Sequence, residues 1–123
     1  MKNRRLLRSF RDAWRGIRKT AATERNFKIH IAAGIAVVII CMLLKLELSL
    51  FVWVIFAVFA VLGAELFNTA VEALTDLVCE SKPHPLAKKA KDAAAGAVLV
   101  ASLQAVAVAL TLAFVLIGRR AGN

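Results

Sequence analysis

The chain has 123 residues, 60% of them hydrophobic, and its mean hydropathy is +0.71. That length allows one domain, and the apolar share exceeds the roughly 45–50% of average soluble domains, so a membrane protein is favoured over a soluble one. The net charge is +9, and ten of the 17 basic residues lie within positions 1–28, which suits anionic lipid or nucleic acid. Because of the hydrophobic bulk, we expect membrane lipids as partners and no nucleic acid.

The first predicted element is an amphipathic helix over residues 4–22. Apolar side chains recur there at steps of three and four, while arginine and lysine fill the other face. The apolar positions are Leu6, Leu7, Phe10, Trp14, Ile17 and Ala21. A helix of this kind can lie in the membrane interface. The alternative, a soluble helix packed on a core, is disfavoured because the chain offers no soluble core.

An apolar run over residues 29–44 predicts the first membrane helix. The run is short for a bilayer, which needs about 20 residues, so we extend the prediction to residues 27–46. A signal peptide is the alternative. The long, patterned basic segment before the run argues against it, as does the lack of a small-residue cleavage site after the run.

Two further membrane helices are predicted over residues 48–78 and 86–117, joined by the proline-containing loop 79–85. The first of these would be about 46 Å long at 1.5 Å per residue. It exceeds a hydrocarbon core of about 30 Å, so its polar end should emerge into the interface. The last helix carries alanine at every fourth position from Ala93 to Ala113, a pattern that favours close helix packing and winds around the helix.

The basic residues that flank the spans predict the orientation. With the N-terminus in the cytoplasm, fourteen basic residues lie inside and three, Lys45, Arg119 and Arg120, lie outside. The sequence therefore predicts an all-α integral membrane protein with three transmembrane helices plus the N-terminal interfacial helix. It would form one domain over residues 1–123 in the inner (plasma) membrane, with a cytoplasmic N-terminus. The two cysteines, Cys41 and Cys79, are expected to be free thiols.

A stripe of polar side chains ends the second predicted span. Glu65, Asn68, Glu72 and Asp76 lie within about 80° of one another at 100° per residue, and seventeen uncharged residues precede Glu65. A carboxylate at membrane depth is costly and indicates function, whereas solvation at a helix end accounts for Asp76. Paired carboxylates can hold Mg²⁺, which also takes substrate phosphates, and a carboxylate in an apolar site suits a general base.

More polar side chains follow on the same side of the membrane. The segment "HPLAKKAKD" brings His84, Lys91 and Asp92 there, and Glu24 lies at the same level just before the first span. Ammonium groups beside acidic ones suit a polyphosphate, yet neither a P-loop nor a kinase-type glycine-rich loop occurs. The pattern alone leaves open a phosphate-handling membrane enzyme and a transporter or assembly subunit.

Three segments resemble the prokaryotic diacylglycerol kinase family: "TERNFKIH" at 23–30, "ELFNTAVEALTDLV" at 65–78 and "HPLAKKAKDAAAGAV" at 84–98. They are most similar to its undecaprenol kinase branch, and the resemblance covers nearly the whole chain. It implies a homotrimer of three-span subunits with an interfacial N-terminal helix. It also implies transfer of the γ-phosphoryl group of ATP to a lipid hydroxyl, in active sites between subunits at the cytoplasmic membrane boundary.

The resemblance also implies roles for individual residues. Glu65 would be the base that takes the hydroxyl proton, and Asn68 would help to orient the site. Glu24 and Glu72 would hold Mg²⁺ on ATP. The ATP contacts would come from Arg5, Glu24, Glu72, His84, Lys91 and Asp92, with Asp76 in support.

The resemblance leaves two acceptor lipids open. It favours undecaprenol, and diacylglycerol is the alternative. Asp12 and Lys82 depart from the family pattern at two nucleotide-contacting positions, so no contact is implied there. From a different class, a small proton-coupled membrane transporter is the alternative. The lack of a fourth predicted span and the His, Lys and Asp side chains at 84–92 argue against it.

Overall fold

The computed structural model describes residues 2–121, and all regular structure in that range is α-helical. Its four helices are α1 at Lys2–Thr23, α2 at Arg25–Leu43, α3 at Leu48–Val78 and α4 at Pro85–Ala121. The predicted all-α class is confirmed. Positions 1, 122 and 123 of the predicted domain lie outside the described residues.

Three helices in the described range are long and apolar enough to cross a membrane: α2, α3 and the Pro85–Arg119 part of α4. Many of their large apolar side chains point outward; Phe59 on α3 is 69% exposed and Phe114 on α4 is 81% exposed. So much exposed apolar surface is unusual for a soluble protein and is expected in lipid. The chain is therefore a multi-pass membrane protein with the three predicted spans.

α1 and α2 are separated by an elbow at Glu24. The backbone there is extended, with φ −88° and ψ 117°. The Glu24 N–H still donates to the Thr20 carbonyl at 2.8 Å, and the Lys28 N–H donates to the Glu24 carbonyl at 3.2 Å. Because α2 begins at Arg25, two residues before the predicted start, Glu24 stands at the joint between α1 and the first span.

α2 ends at Leu43, so the predicted boundary at 46 is corrected. Lys45 has a φ of 50°, in the left-handed region, where the chain turns toward α3. Its N–H donates to the Met42 carbonyl at 3.1 Å, and the Leu46 N–H donates to the Cys41 carbonyl at 3.2 Å. This is the hydrogen-bond pattern of a Schellman cap, in which glycine is the usual left-handed residue.

α4 starts one residue earlier and ends four residues later than predicted. Pro85 takes the first helical position, where its missing N–H is no loss, and His84 Nδ1 accepts the Leu86 N–H at 3.2 Å. At the other end, Arg119 Nη2 donates to Glu47 Oε2 at 2.8 Å. This pair joins the end of α4 to the start of α3.

α3 is the central helix. It packs against each of the other three, whereas α2 and α4 lie beside it without packing on each other within residues 2–121. At Gly34 of α2, an added Cβ would lie 2.8 Å from Cγ1 of Val58 on α3, so α2 approaches α3 closely at a position without a side chain. The buried positions of α3 recur at steps of three and four: Val54, Ala57, Val61 and Glu65.

The predicted alanine series of α4 faces α3 only in its middle. Ala101 is buried, but Ala93, Ala97, Ala109 and Ala113 are exposed. A spacing of four drifts around the helix by about 40° per step. One neighbouring helix can therefore cover only a short part of the series.

Candidate functional site

The first carboxylate of the predicted stripe is buried inside the helix bundle. Glu65 is 5% exposed, and its Oε1 lies 3.2 Å from Nε2 of His30 on α2. A buried carboxylate is unfavourable unless it is paired, and His30 supplies a partner. Solvation at a helix end therefore does not account for Glu65.

His30 was not among the predicted site residues. It stands within an apolar run, where a single histidine makes no motif, and its pairing with α3 depends on how α2 packs. The available signal was a polar side chain inside a predicted span, which at membrane depth indicates function.

One turn further along α3, Asn68 and Glu72 form a second polar pair. Asn68 Nδ2 donates to Glu72 Oε1 at 3.0 Å. The amide oxygen, Asn68 Oδ1, is buried and has no hydrogen-bond partner among the described residues. Buried polar atoms are nearly always satisfied, so this oxygen is suited to a ligand that brings a donor or a positive charge.

The last member of the stripe connects α3 to α4. Lys91 Nζ lies 2.5 Å from Asp76 Oδ1. On α4 itself, Lys88 Nζ lies 2.5 Å from Asp92 Oδ2 one turn later. Two of the predicted ATP-contacting residues, Lys91 and Asp92, thus lie in ion pairs at the polar end of the bundle.

An open cavity of about 720 Å³ lies at this polar end, beside the loop between α3 and α4. His84, Lys91 and Asp76 line it together with Lys82 and Lys88. The structure therefore brings two predicted ATP-contacting side chains and the supporting Asp76 to one cavity. Its three lysines outnumber its one carboxylate, Asp76, so the lining is net positive and suits phosphate groups.

Glu24 and Arg5 belong to other parts of the chain. Glu24 is half-buried at the α1–α2 elbow, and its Oε1 accepts the Thr23 hydroxyl at 3.1 Å. Arg5 is exposed near the start of α1, about 27 Å before Thr23 along the helix axis at 1.5 Å per residue. Among the described residues of one chain, neither the Glu24 nor the Arg5 side chain contacts Glu72 or Lys91.

An apolar groove of about 250 Å³ runs along α3 between α2 and α4. Its described lining is apolar apart from His30. The lining includes Gly34, Val54, Val61, Ala105 and Leu112. Since His30 contacts Glu65, the groove leads from the hydrocarbon region to the buried carboxylate.

Known proteins of similar sequence identify the family of the chain. A family model described as prokaryotic diacylglycerol kinase matches residues 11–113, a range that holds every predicted site residue except Arg5. An undecaprenol kinase of Bacillus subtilis is 52% identical over 100 residues, which are 78% of this chain and 77% of that protein.

Two diacylglycerol kinases are also similar to the chain. That of Synechocystis is 47% identical over 103 residues, 84% of this chain and 59% of that protein. That of Escherichia coli K12 is 31% identical over 102 residues, 83% of each. The chain belongs to the prokaryotic diacylglycerol kinase family and is a lipid kinase.

Proposed function

We propose that this lipid kinase transfers the γ-phosphoryl group of Mg–ATP to the hydroxyl of undecaprenol at the cytoplasmic face of the inner (plasma) membrane. It would act as a homotrimer, with α1 lying in the membrane interface and the N-terminus in the cytoplasm. The observation that carries the proposal is the position of Glu65. It is a buried carboxylate between an apolar groove and the polar end of the bundle.

In the proposed reaction the lipid hydroxyl oxygen attacks the γ-phosphorus, the bond from that phosphorus to the β–γ bridging oxygen breaks, and ADP leaves. Glu65 takes the hydroxyl proton as general base. Asn68 Oδ1, which is buried and unpaired among the described residues, orients the reacting groups. Phosphoryl transfer depends on such positioning and on charge neutralisation more than on covalent chemistry.

The oxygen atoms near Glu72 fit a magnesium ion. Mg²⁺ prefers oxygen ligands and commonly takes only one or two carboxylates together with substrate phosphates. Glu72 and Asn68 Oδ1 offer such oxygens side by side, and no group of three His, Cys, Asp or Glu side chains clusters in residues 2–121. We assign Glu72 and Glu24 to the metal, which when bound would neutralise phosphate charge.

The proposed nucleotide site is the cavity beside the α3–α4 loop. Lys91 and His84 line it and would contact ATP there. Asp92 would contact ATP from beside the cavity, where it pairs with Lys88, and Asp76 would hold Lys91 in place through their ion pair. Arg5 lies at the far end of α1 from Glu24. In the proposed trimer, Arg5 of one subunit would serve the site of a neighbour.

Two features support undecaprenol as the acceptor. Its chain is pure hydrocarbon with one terminal hydroxyl, and the groove that ends at His30 is lined by apolar side chains. Diacylglycerol carries ester carbonyls that need donors when buried. In the spans, the Thr111 hydroxyl already donates to the Ala107 carbonyl at 2.9 Å. Ser102 and Gln104, both half-buried, are the other side-chain donors in the uncharged part of α4.

Diacylglycerol is the second candidate, and the names of the Synechocystis and Escherichia coli relatives support it. The transporter alternative is overturned, because the family match makes the chain a kinase.

The proposed function is tested with purified protein in mixed micelles that contain undecaprenol, diacylglycerol or neither. ATP labelled at the γ-phosphorus should transfer label to undecaprenol, with ADP formed in equal amount, and ATP consumption should be negligible without a lipid alcohol. A protein that leaves undecaprenol unlabelled but labels diacylglycerol would overturn the assignment of the acceptor.

A further inference from the structure

His30 has no role in the reaction proposed above. Its side chain nevertheless contacts the Glu65 carboxylate. Its Nε2 lies 3.2 Å from Glu65 Oε1 in an ion-pair contact, which leaves the ring within reach of a hydrogen bond to the carboxylate. The same ring lines the apolar groove. His30 therefore stands where the groove and the carboxylate meet.

The position of His30 is fixed by packing on both sides of it along α2. One turn before it, Phe27 is 1% exposed. One turn after it, Gly34 approaches α3 so closely that an added Cβ would lie 2.8 Å from Val58 Cγ1. Residues three and four apart share a helix face, so His30 lies on the buried face of α2, between a buried side chain and the close approach to α3.

The Glu65 side chain needs such a partner. It is 6% exposed, whereas the His30 side chain is 29% exposed. A carboxylate removed from water is stabilised by a donor and is also turned by it, because a bond to one oxygen fixes the direction of the other. A fixed orientation matters for a base, which must lie within hydrogen-bonding reach of the proton it takes.

We propose that His30 is a positioning residue for phosphoryl transfer. It donates from Nε2 to Oε1 of Glu65 and so presents the second carboxylate oxygen to the hydroxyl of the lipid alcohol. This inference rests on the proposed role of Glu65 as the base. His30 acts through Glu65 and takes no proton from the substrate.

Three substitutions separate positioning from a structural role. In His30→Gln the side-chain amide nitrogen stands at the place of Nε2, so the donor is kept. In His30→Asn the amide nitrogen stands nearer to Nδ1 and falls short of Glu65. In His30→Ala the donor is lost. Ile35→Ala is the control on the same helix, because Ile35 is 57% exposed, is not part of the groove lining and has no polar side chain.

The measurement is kcat and KM for ATP and for the lipid, together with the thermal unfolding midpoint of each variant. We expect kcat to fall about tenfold or more in His30→Ala and His30→Asn, a loss like that seen when a partner that orients a metal ligand is removed. His30→Gln should stay within about threefold of wild type, KM for ATP should not change, and Ile35→Ala should keep its kcat.

Equal losses in His30→Gln and His30→Asn would overturn the inference, as would a wild-type kcat in His30→Ala. If His30→Ala does not fold, the Gln and Asn variants decide between the two roles. The series is run on whichever lipid alcohol the wild type phosphorylates. A failure of undecaprenol as acceptor is therefore seen in the wild type and is distinct from a failure of His30.

Discussion

Asn68 and Glu72 are joined one turn apart on α3 by a hydrogen bond of 3.0 Å from Asn68 Nδ2 to Glu72 Oε1. The bond turns the amide so that Asn68 Oδ1 is buried without a partner among the described residues. A lone buried oxygen beside a carboxylate is the arrangement that a bound cation or a donor would complete. This relationship links the structure of α3 to the metal proposed for the reaction.

Glu24→Ala and Glu72→Ala should each raise the Mg²⁺ concentration needed for half-maximal rate by about tenfold or more, the loss of one charged contact. High Mg²⁺ should restore part of the rate. The measurement is the initial rate against Mg²⁺ at fixed ATP. Glu47→Ala is the control, because Glu47 is exposed and paired with Arg119 at the other end of α3, away from the proposed site. An unchanged Mg²⁺ dependence in both variants would contradict the metal assignment.

Glu65→Gln should lower kcat by about 10²–10⁴, the usual contribution of a general base, with the fold retained. Glutamine keeps the size of the side chain and an oxygen that can face His30. Glu47→Gln serves as the control, since Glu47 is exposed at the other end of α3 and pairs with Arg119. Activity is measured as label transferred from ATP to lipid, and helicity by circular dichroism. Turnover like that of the wild type in Glu65→Gln would remove Glu65 from the mechanism.

The orientation of the chain can be tested with its own cysteines. Both are free, Cys41 is buried and Cys79 is half-buried at the end of α3. A thiol reagent that does not cross membranes should therefore report on Cys79 alone, and it should label the protein in inverted vesicles but not in intact cells. The Cys79→Ser variant should stay unlabelled in both. Labelling of Cys79 from outside intact cells would reverse the predicted topology.

Gly34→Ala should destabilise the packing of α2 on α3 by about 1–3 kcal/mol, the cost of overpacking a close contact, because the new Cβ would meet Val58 at 2.8 Å. Val58→Ala in the same chain should relieve most of this loss. Gly16→Ala is the matched control, since nothing lies within 4 Å of a Cβ there. The thermal unfolding midpoint in micelles is the measurement. An unchanged midpoint in Gly34→Ala would contradict the close approach of the two helices.

The fold could be predicted largely because charge and hydropathy change sharply along the chain. The predicted second span, 48–78, has the same bounds as α3, since seventeen uncharged residues precede the polar stripe. The end of α2 could not be predicted, because lysine at position 45 gives no sign of a left-handed turn. α4 continues past position 117, the predicted end. In this added part Arg119 forms an ion pair with Glu47, a residue distant in sequence.

The parts of the candidate site that lie on a single helix could be predicted from the sequence. The stripe on α3 followed from helical periodicity. The pairing of Glu65 with His30 could not be derived, because it depends on how α2 is placed against α3. Nor could the ion pair of Lys91 with Asp76, which joins two helices across the α3–α4 loop. Contacts between helices depend on packing that no single segment encodes.

The most direct test of the central claim compares kcat/KM for undecaprenol and for diacylglycerol. Both lipids are presented in mixed micelles at matched surface fraction with saturating Mg–ATP. An apolar groove that ends at His30 and Glu65 predicts the higher value for undecaprenol. A preference of about tenfold corresponds to about 1.4 kcal/mol of transition-state stabilisation. If diacylglycerol is preferred by that factor or more, the undecaprenol assignment is contradicted and diacylglycerol takes its place.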